Sequence, residues 1–196
     1  MQAARGASLN SSDPVDHDTA SRGLDARLIF VAVGVLAYAL DLGSKEWAIR
    51  ALADGDVPLV GDWFVLHLTF NPGAAFSTGT DFTIVFTCLA MLAVVVVLWL
   101  SRRVGSIGWA IALGLLLGGV GGNLTDRIVR EPEPFHGHVV DFLMLPNWPV
   151  FNIADICINV AAGLIILQTF RGISLDGSRD GDTADAGAGT PADPGQ

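Results

Sequence analysis

Apolar positions gather into four blocks, set apart by segments rich in Pro, Gly and charge. The first begins as LIFVAVGVLAYAL at 28–40 and continues through Asp41 toward Trp47 and Ile49. The second, 82–100, runs nineteen residues without a charge. The third, 107–124, is rich in Gly, and the fourth covers 150–170. A helix needs about twenty residues to cross about 30 Å of hydrocarbon. The pattern therefore predicts four membrane spans, at about 28–49, 82–100, 107–124 and 150–170. The second is the cleanest, and the others each carry polar residues at one end.

Between the first two spans, residues 51–81 contain WFVLHLTF at 63–70, a β-prone run. It predicts a small strand element on the membrane surface. Residues 125–149 contain Pro132, Pro134, Pro146 and Pro149, which stop helix there. The fold class expected is an all-α membrane protein of four transmembrane helices, with a small extracytoplasmic β-containing element between spans 1 and 2. The flanks 1–26 and 171–196 are polar and low in bulky apolar residues, so both are expected to be disordered. The first has no basic start followed by an apolar stretch, and so does not read as a signal peptide. The division expected is a tail at 1–26, a four-span domain at 27–170 and an acidic tail at 171–196.

Composition sharpens this picture. Hydrophobic residues make up 51% of the 196, and the net charge is −9. That charge argues against nucleic acid as a partner, because phosphate contacts need clustered Lys and Arg. Of twenty acidic residues, four lie in 1–26 and five in 171–196, so the middle is more apolar than the average suggests. Arg5, Arg22, Arg27, Arg102, Arg103, Arg171 and Arg179 fall on one side of the predicted membrane, and Lys45, Arg50, Arg127 and Arg130 on the other. The excess places both termini in the cytoplasm. Cys88 and Cys157 sit in apolar runs with no disulfide or zinc spacing, and read as buried small hydrophobes.

The polar groups near the spans collect on the outer side, where ionisable residues at membrane depth are costly and usually functional. In FNIADICIN, Asn152, Asp155 and Asn159 recur at steps of three and four on one helix face. Asp155 reads as functional, and Asn159 as an amide bonding to a neighbouring helix. With Pro149 opening the helix, Asp155 would sit about 9 Å deep. Asp141, in GHVVDFLML at 137–145, lies between apolar neighbours in an extended or membrane-dipping stretch; the residues alone leave it open between a site and a loop carboxylate. In GGVGGNLTDR at 118–127, Gly114, Gly118 and Gly122 form a close-packing face and Asn123 and Arg127 share another, which suggests active-site support. Asp126 reads as the salt-bridge partner of a snorkelling Arg127. Asp41 and Lys45 are at ion-pair spacing. Asn71-Pro72-Gly73 is a turn. His136 and His138 near Asp141 do not make a recognised metal motif, no HExxH or GxSxG is present, and no metal or cofactor is expected.

Taken together, DLGSK at 41–45, NPGAAFS at 71–77, GGNLTDR at 121–127, VVDF at 139–142 and FNIAD at 151–155 resemble the signal peptidase II family, in order and across residues 28–170. The resemblance implies an aspartyl endopeptidase of the bacterial inner membrane. It would remove the signal peptide from prolipoproteins bearing a diacylglyceryl cysteine, cutting just before that cysteine near the outer face. It implies Asp141 and Asp155 as the catalytic pair. Asn71, Asn123, Arg127 and Asn152 would line the site, with Gly73 and Ala154 in substrate binding or dyad support. Asp41, Lys45 and Asp126 would be structural or supporting. Partners implied are lipidated prolipoproteins and membrane lipid, with the chain a monomer. Two departures concern loops: REPEPFHGH lengthens 128–138, and the stretch between the two aspartates is short. The competing class is a small ion or proton carrier with buried aspartates, although no inverted repeat supports it.

Overall fold

The computed structural model describes residues 15–73 and 83–179. The order is α1 (Val15–Ala51), β1 (Val57–Val60), β2 (Phe64–Asn71), α2 (Thr83–Ser101), α3 (Ile107–Val129), β3 (Val139–Met144) and α4 (Ile153–Phe170). Each helix carries a stretch long and apolar enough to cross a membrane. Their outward sides expose Val31, Val35, Leu92, Val95 and Ile166, which suits lipid rather than water.

The Gly-rich third span is the hub. α3 packs against α1, α4 and α2. A β-carbon at Gly118 would lie 2.6 Å from Ala37 Cβ, and one at Gly119 would lie 2.6 Å from the Ala154 carbonyl oxygen. Small residues thus let α1 and α4 approach the α3 backbone, where van der Waals contact replaces the missing hydrophobic drive between helices in lipid. Gly122 serves the site itself: a β-carbon there would collide with the Asp41 carboxylate.

The expected strand element lies at β1 and β2, and the sheet gains a third strand that the spans did not announce. The order is β1-β2-β3, antiparallel, with Thr69 opposite Asp141 and Asn71 opposite Val139. Leu66, Phe142 and Leu143 of the sheet bury against Ala48 and Leu52 of α1. Burial of a side chain such as Phe142 contributes about 1.5–3 kcal/mol, which fixes the sheet on the helix ends.

Three boundaries differ from expectation. Order begins before residue 27: α1 starts at Val15, and Ala26 is fully buried in a cluster with Phe30, Val97, Val104, Ala110 and Leu113. The remainder of that expected tail, 1–14, lies outside the described residues. At the other end, 171–179 docks on the α2–α3 loop. Leu175 O accepts from Gly105 N at 2.9 Å, and Trp109 Nε1 donates to Ile173 O at 2.7 Å. Residues 180–196 lie outside the described part. Finally, α4 starts at Ile153 rather than near Val150, because Val150–Phe151 stay extended and Phe151 pairs with Leu143. Cys88 is exposed on α2, not buried, and Cys157 is half-buried.

Candidate active site

Asp155 is held by the way α4 begins. Asn152 is the N-cap: its side-chain oxygen accepts from Asp155 N at 2.9 Å, and Asp155 Oδ2 accepts from Asn152 N at 3.2 Å. This reciprocal box satisfies two amides that a helix start leaves unpaired. It also puts Asp155 in the first turn, not six residues inside the helix as expected from Pro149. Asp141 comes from the sheet. It sits opposite Thr69 on β3 and one diagonal step from Asn71, on the same face of the pleat. Asn71 Nδ2 donates to Asp141 Oδ2 at 2.9 Å, and Asn152 Nδ2 donates to Asp141 Oδ1 at 2.6 Å.

Three asparagines hold the two carboxylates, and chemistry fixes which way each amide points. Asn71 Oδ1 faces Gly73 N at 2.8 Å, and Asn152 Oδ1 faces Asp155 N. Asn123 Oδ1 faces the Lys45 ammonium at 2.9 Å. All three partners can only donate, so each amide oxygen is committed and each NH2 turns toward an aspartate. Asn123 Nδ2 accordingly donates to Asp155 Oδ1 at 2.9 Å.

Beneath this lies a buried charge cluster. Lys45 is fully buried, donates to Asn123 Oδ1, and forms ion pairs with Asp41 Oδ2 at 2.7 Å and Asp126 Oδ2 at 2.8 Å. Asp41 Oδ1 accepts from Ala154 N at 2.9 Å, which ties α1 to the start of α4. The pairing expected between Asp126 and Arg127 is replaced. Asp126 meets Lys45 and Arg130 (2.6 Å) and accepts from Val140 N at 3.3 Å, holding β3 beside α3. Adjacent residues on a helix point about 100° apart, so Asp126 and Arg127 cannot share a face. Arg130 in turn reaches Glu46 at 2.8 Å. Arg127 donates to Asn123 O at 3.1 Å, and its guanidinium lies in the field of Asp141, Asp155 and Asp126. Its buried Nε has no acceptor among the described residues.

Gly73 has φ +104, a conformation that L side chains rarely adopt, and a β-carbon there would lie 2.8 Å from the Phe86 ring. It lets the chain turn so that its N–H reaches Asn71. The motif residues 74–77 lie outside the described part. Sequence reading passed over Thr83 and Thr87. Thr83 Oγ1 donates to Pro72 O and Thr87 Oγ1 to Phe135 O, so α2 clamps the turn after β2 and the loop before β3. Their i, i+4 spacing at the outer end of an otherwise apolar span was the available signal. His138 lines a separate cavity with Phe70 and Arg130. Asn159 does not bridge helices: it is exposed and bonds its own helix at Asp155 O.

Electrostatics oppose full ionisation. Asp141 is pushed up to about 6, first by burial and then by the charge of Asp155, against the hydrogen bonds from Asn71 and Asn152 and the charge of Lys45. A buried carboxyl, Asp141, and a half-buried one, Asp155, joined through one asparagine form a unit that can hold one proton and accept another, the equipment for general acid–base chemistry. A cleft of about 420 Å³ lined by Asn71, Trp148, Phe151 and Asp155 gives access to it.

Residues 33–171 match the family model for Signal peptidase (SPase) II. The lipoprotein signal peptidase of Streptomyces griseus is 46% identical over 160 residues, covering 81% of this chain and 82% of that one. The lipoprotein signal peptidase of Leifsonia xyli is 40% identical over 189 residues, covering 94% and 86%. A bacterial membrane enzyme solved by the in meso method superposes with a TM-score of 0.64 at 21% identity, over 74% of this chain and 89% of that one. That likeness speaks to the fold, while the identity to the curated relatives speaks to descent. The chain belongs to the signal peptidase II family.

Proposed function

We propose that this protein is an aspartyl endopeptidase that removes the signal peptide from diacylglyceryl-modified prolipoproteins, cutting just before the lipidated cysteine, with Asp141 and Asp155 as its catalytic pair. The observation that carries the reading is the shared asparagine: Asn152 donates to Asp141 Oδ1 and accepts from Asp155 N. Capping brings together two carboxyls from different elements at one helix mouth.

The pair shares a proton, since the charge of Asp155 beside the buried Asp141 opposes double ionisation. The ionised member takes a proton from water as the water oxygen attacks the scissile carbonyl carbon. The neutral member gives its proton to the carbonyl oxygen. In the resulting gem-diol the carbon–nitrogen bond breaks. The amine leaves with the proton taken from water, and the carbonyl reforms by returning its proton to the other aspartate. Asn71, Asn123 and Asn152 hold the carboxylates. Arg127, whose buried Nε has no acceptor among the described residues, is available to orient the substrate backbone. Asp41, Lys45 and Asp126 fix Asn123 and the start of α4, and Gly73 and Ala154 supply backbone contacts.

The site is assigned to the outer face of the plasma membrane, with both termini cytoplasmic. Arg27 donates to Arg102 O at one end of the bundle, and Lys45, Asp126 and Arg130 cluster at the other. The Arg excess at the first end marks it as cytoplasmic. Trp47, Trp63 and Trp148, all exposed, surround the dyad end at the level of an interfacial aromatic belt. The buried charged groups among the described residues (Asp41, Lys45, Asp126 and Asp141) lie at that end and form no path across, which disfavours the ion-carrier reading.

The test is cleavage in vitro. Purified full-length protein is incubated with a diacylglyceryl-modified precursor and with the same precursor lacking lipid. Release of a signal peptide from the lipidated form, ending just before the cysteine, is expected; no cleavage by a folded preparation overturns the reading.

A further inference from the structure

We propose that Asn159 is a substrate-binding residue, whose side-chain oxygen accepts a backbone N–H from the extended signal peptide shortly before the bond that is cut. The inference rests on the peptidase reading above and deepens it.

The packing side of α4 is defined by Gly119 of α3, against which Ala154, Cys157 and Ile158 lie. Asn159 is off that side and exposed, as are Ile156 and Val160. It lines the same cleft as Asn71, Trp148, Phe151 and Asp155. Its Nδ2 donates to Asp155 O at 2.8 Å, which commits the amide orientation, and its Oδ1 has no partner among the described residues. An amide oxygen left unpaired on a spanning helix is costly in hydrocarbon. The cost disappears if the cleft fills with something that donates.

A precursor supplies such donors. To reach the dyad, its backbone must unwind into an extended strand, and every N–H freed at membrane depth needs an acceptor. Asn159 lies four residues further along α4 than Asp155, about 6 Å deeper at 1.5 Å per residue. A strand covers about 3.3 Å per residue, so the facing N–H belongs to the second or third residue before the cut. The signal peptide approaches from that deeper side, and the lipidated cysteine lies beyond the bond. The diacylglyceryl esters carry acceptors only, so they cannot satisfy Oδ1.

The test compares wild type with Asn159→Leu, which keeps the volume and removes the amide. On lipidated precursor, KM is expected to rise about tenfold, the worth of one good hydrogen bond, with kcat and the pH profile held. Precursors carrying an ester in place of the amide at the second or third residue before the cut should show the same loss with wild type and no further loss with Asn159→Leu. An unchanged KM in a folded Asn159→Leu overturns the proposal, as do losses that simply multiply. So does a defect that vanishes when the lipid esters are replaced by ethers, which would make the lipid the ligand. Failure of wild type to cut any lipidated precursor overturns the peptidase reading itself, and is seen before a variant is made.

Discussion

Asn152 Nδ2 lies 2.6 Å from Asp141 Oδ1, so the residue that caps α4 also holds the carboxylate of a strand. Helix initiation and site assembly therefore rest on one side chain. Asn152→Ala loses both, and N-cap removal costs about 1 kcal/mol. Asn152→Asp keeps a cap acceptor but places a third carboxylate beside Asp141. Thermal unfolding in detergent should show Asn152→Ala as the less stable of the two, while cleavage assays find both inactive.

Asp141→Asn and Asp155→Asn each keep the shape of the side chain and one acceptor oxygen. Asparagine at 155 can still accept from Asn152 N, so α4 remains capped. Both variants should insert and unfold near the wild-type temperature, yet lose cleavage by about a thousandfold, the scale of a lost general acid or base. Near-normal processing by either would remove the dyad from the mechanism.

The pH dependence follows from Asp141. Its folded-state value of about 6 lies above the ordinary 3.8, so the folded protein binds more protons between those values. The stability from this group is full below about pH 4 and is lost as pH rises through about 6. Asp141→Asn should therefore flatten the stability curve in that window. In kcat/KM, loss of the shared proton sets an alkaline limb. Asn71→Ala removes a hydrogen bond that favours the carboxylate, so the limb should move to higher pH.

Lys45 tests the buried cluster. Lys45→Met takes the shared cation from Asp41 and Asp126, leaving Asp41 without one and Asp126 with Arg130, and breaking a buried pair this way costs about 3–5 kcal/mol. Asp126→Asn leaves one acceptor oxygen where two now meet donors, Arg130 at Oδ1 and Lys45 and Val140 N at Oδ2, and should lose stability more than turnover. Parallel unfolding and cleavage measurements separate the two effects. A stable but wholly inactive Asp126→Asn would move Asp126 into the chemistry.

The ends of the chain should behave unequally. Deleting 1–14 and 180–196 is expected to spare both cleavage and stability. Deleting 171–196 also removes the carbonyls of Ile173 and Leu175 that pair with Trp109, Gly105 and Ser106, and should lower the unfolding temperature by several degrees.

Much of this was legible in the chain itself. Four apolar blocks of about twenty residues determined four spans, because a helix satisfies its whole backbone within one segment in hydrocarbon. The i, i+4 glycines of 114–122 determined that α3 would be closely approached, and Asp41–Lys45 spacing gave an ion pair at 2.7 Å. Short-range periodicity carries such facts. What it could not carry was partnership across long separations. The third strand, the Lys45 ammonium beside Asp126, and the tie between α1 and the first turn of α4 depend on groups 14 to 113 positions apart, such as Val140 N on Asp126 and Ala154 N on Asp41. Asp141 was ambiguous as a residue in a loop. It became one half of a pair only when β3 laid it one diagonal step from Asn71 and an asparagine cap reached it from another element. A carboxylate's chemistry is set by its neighbours, and tertiary structure alone chose them.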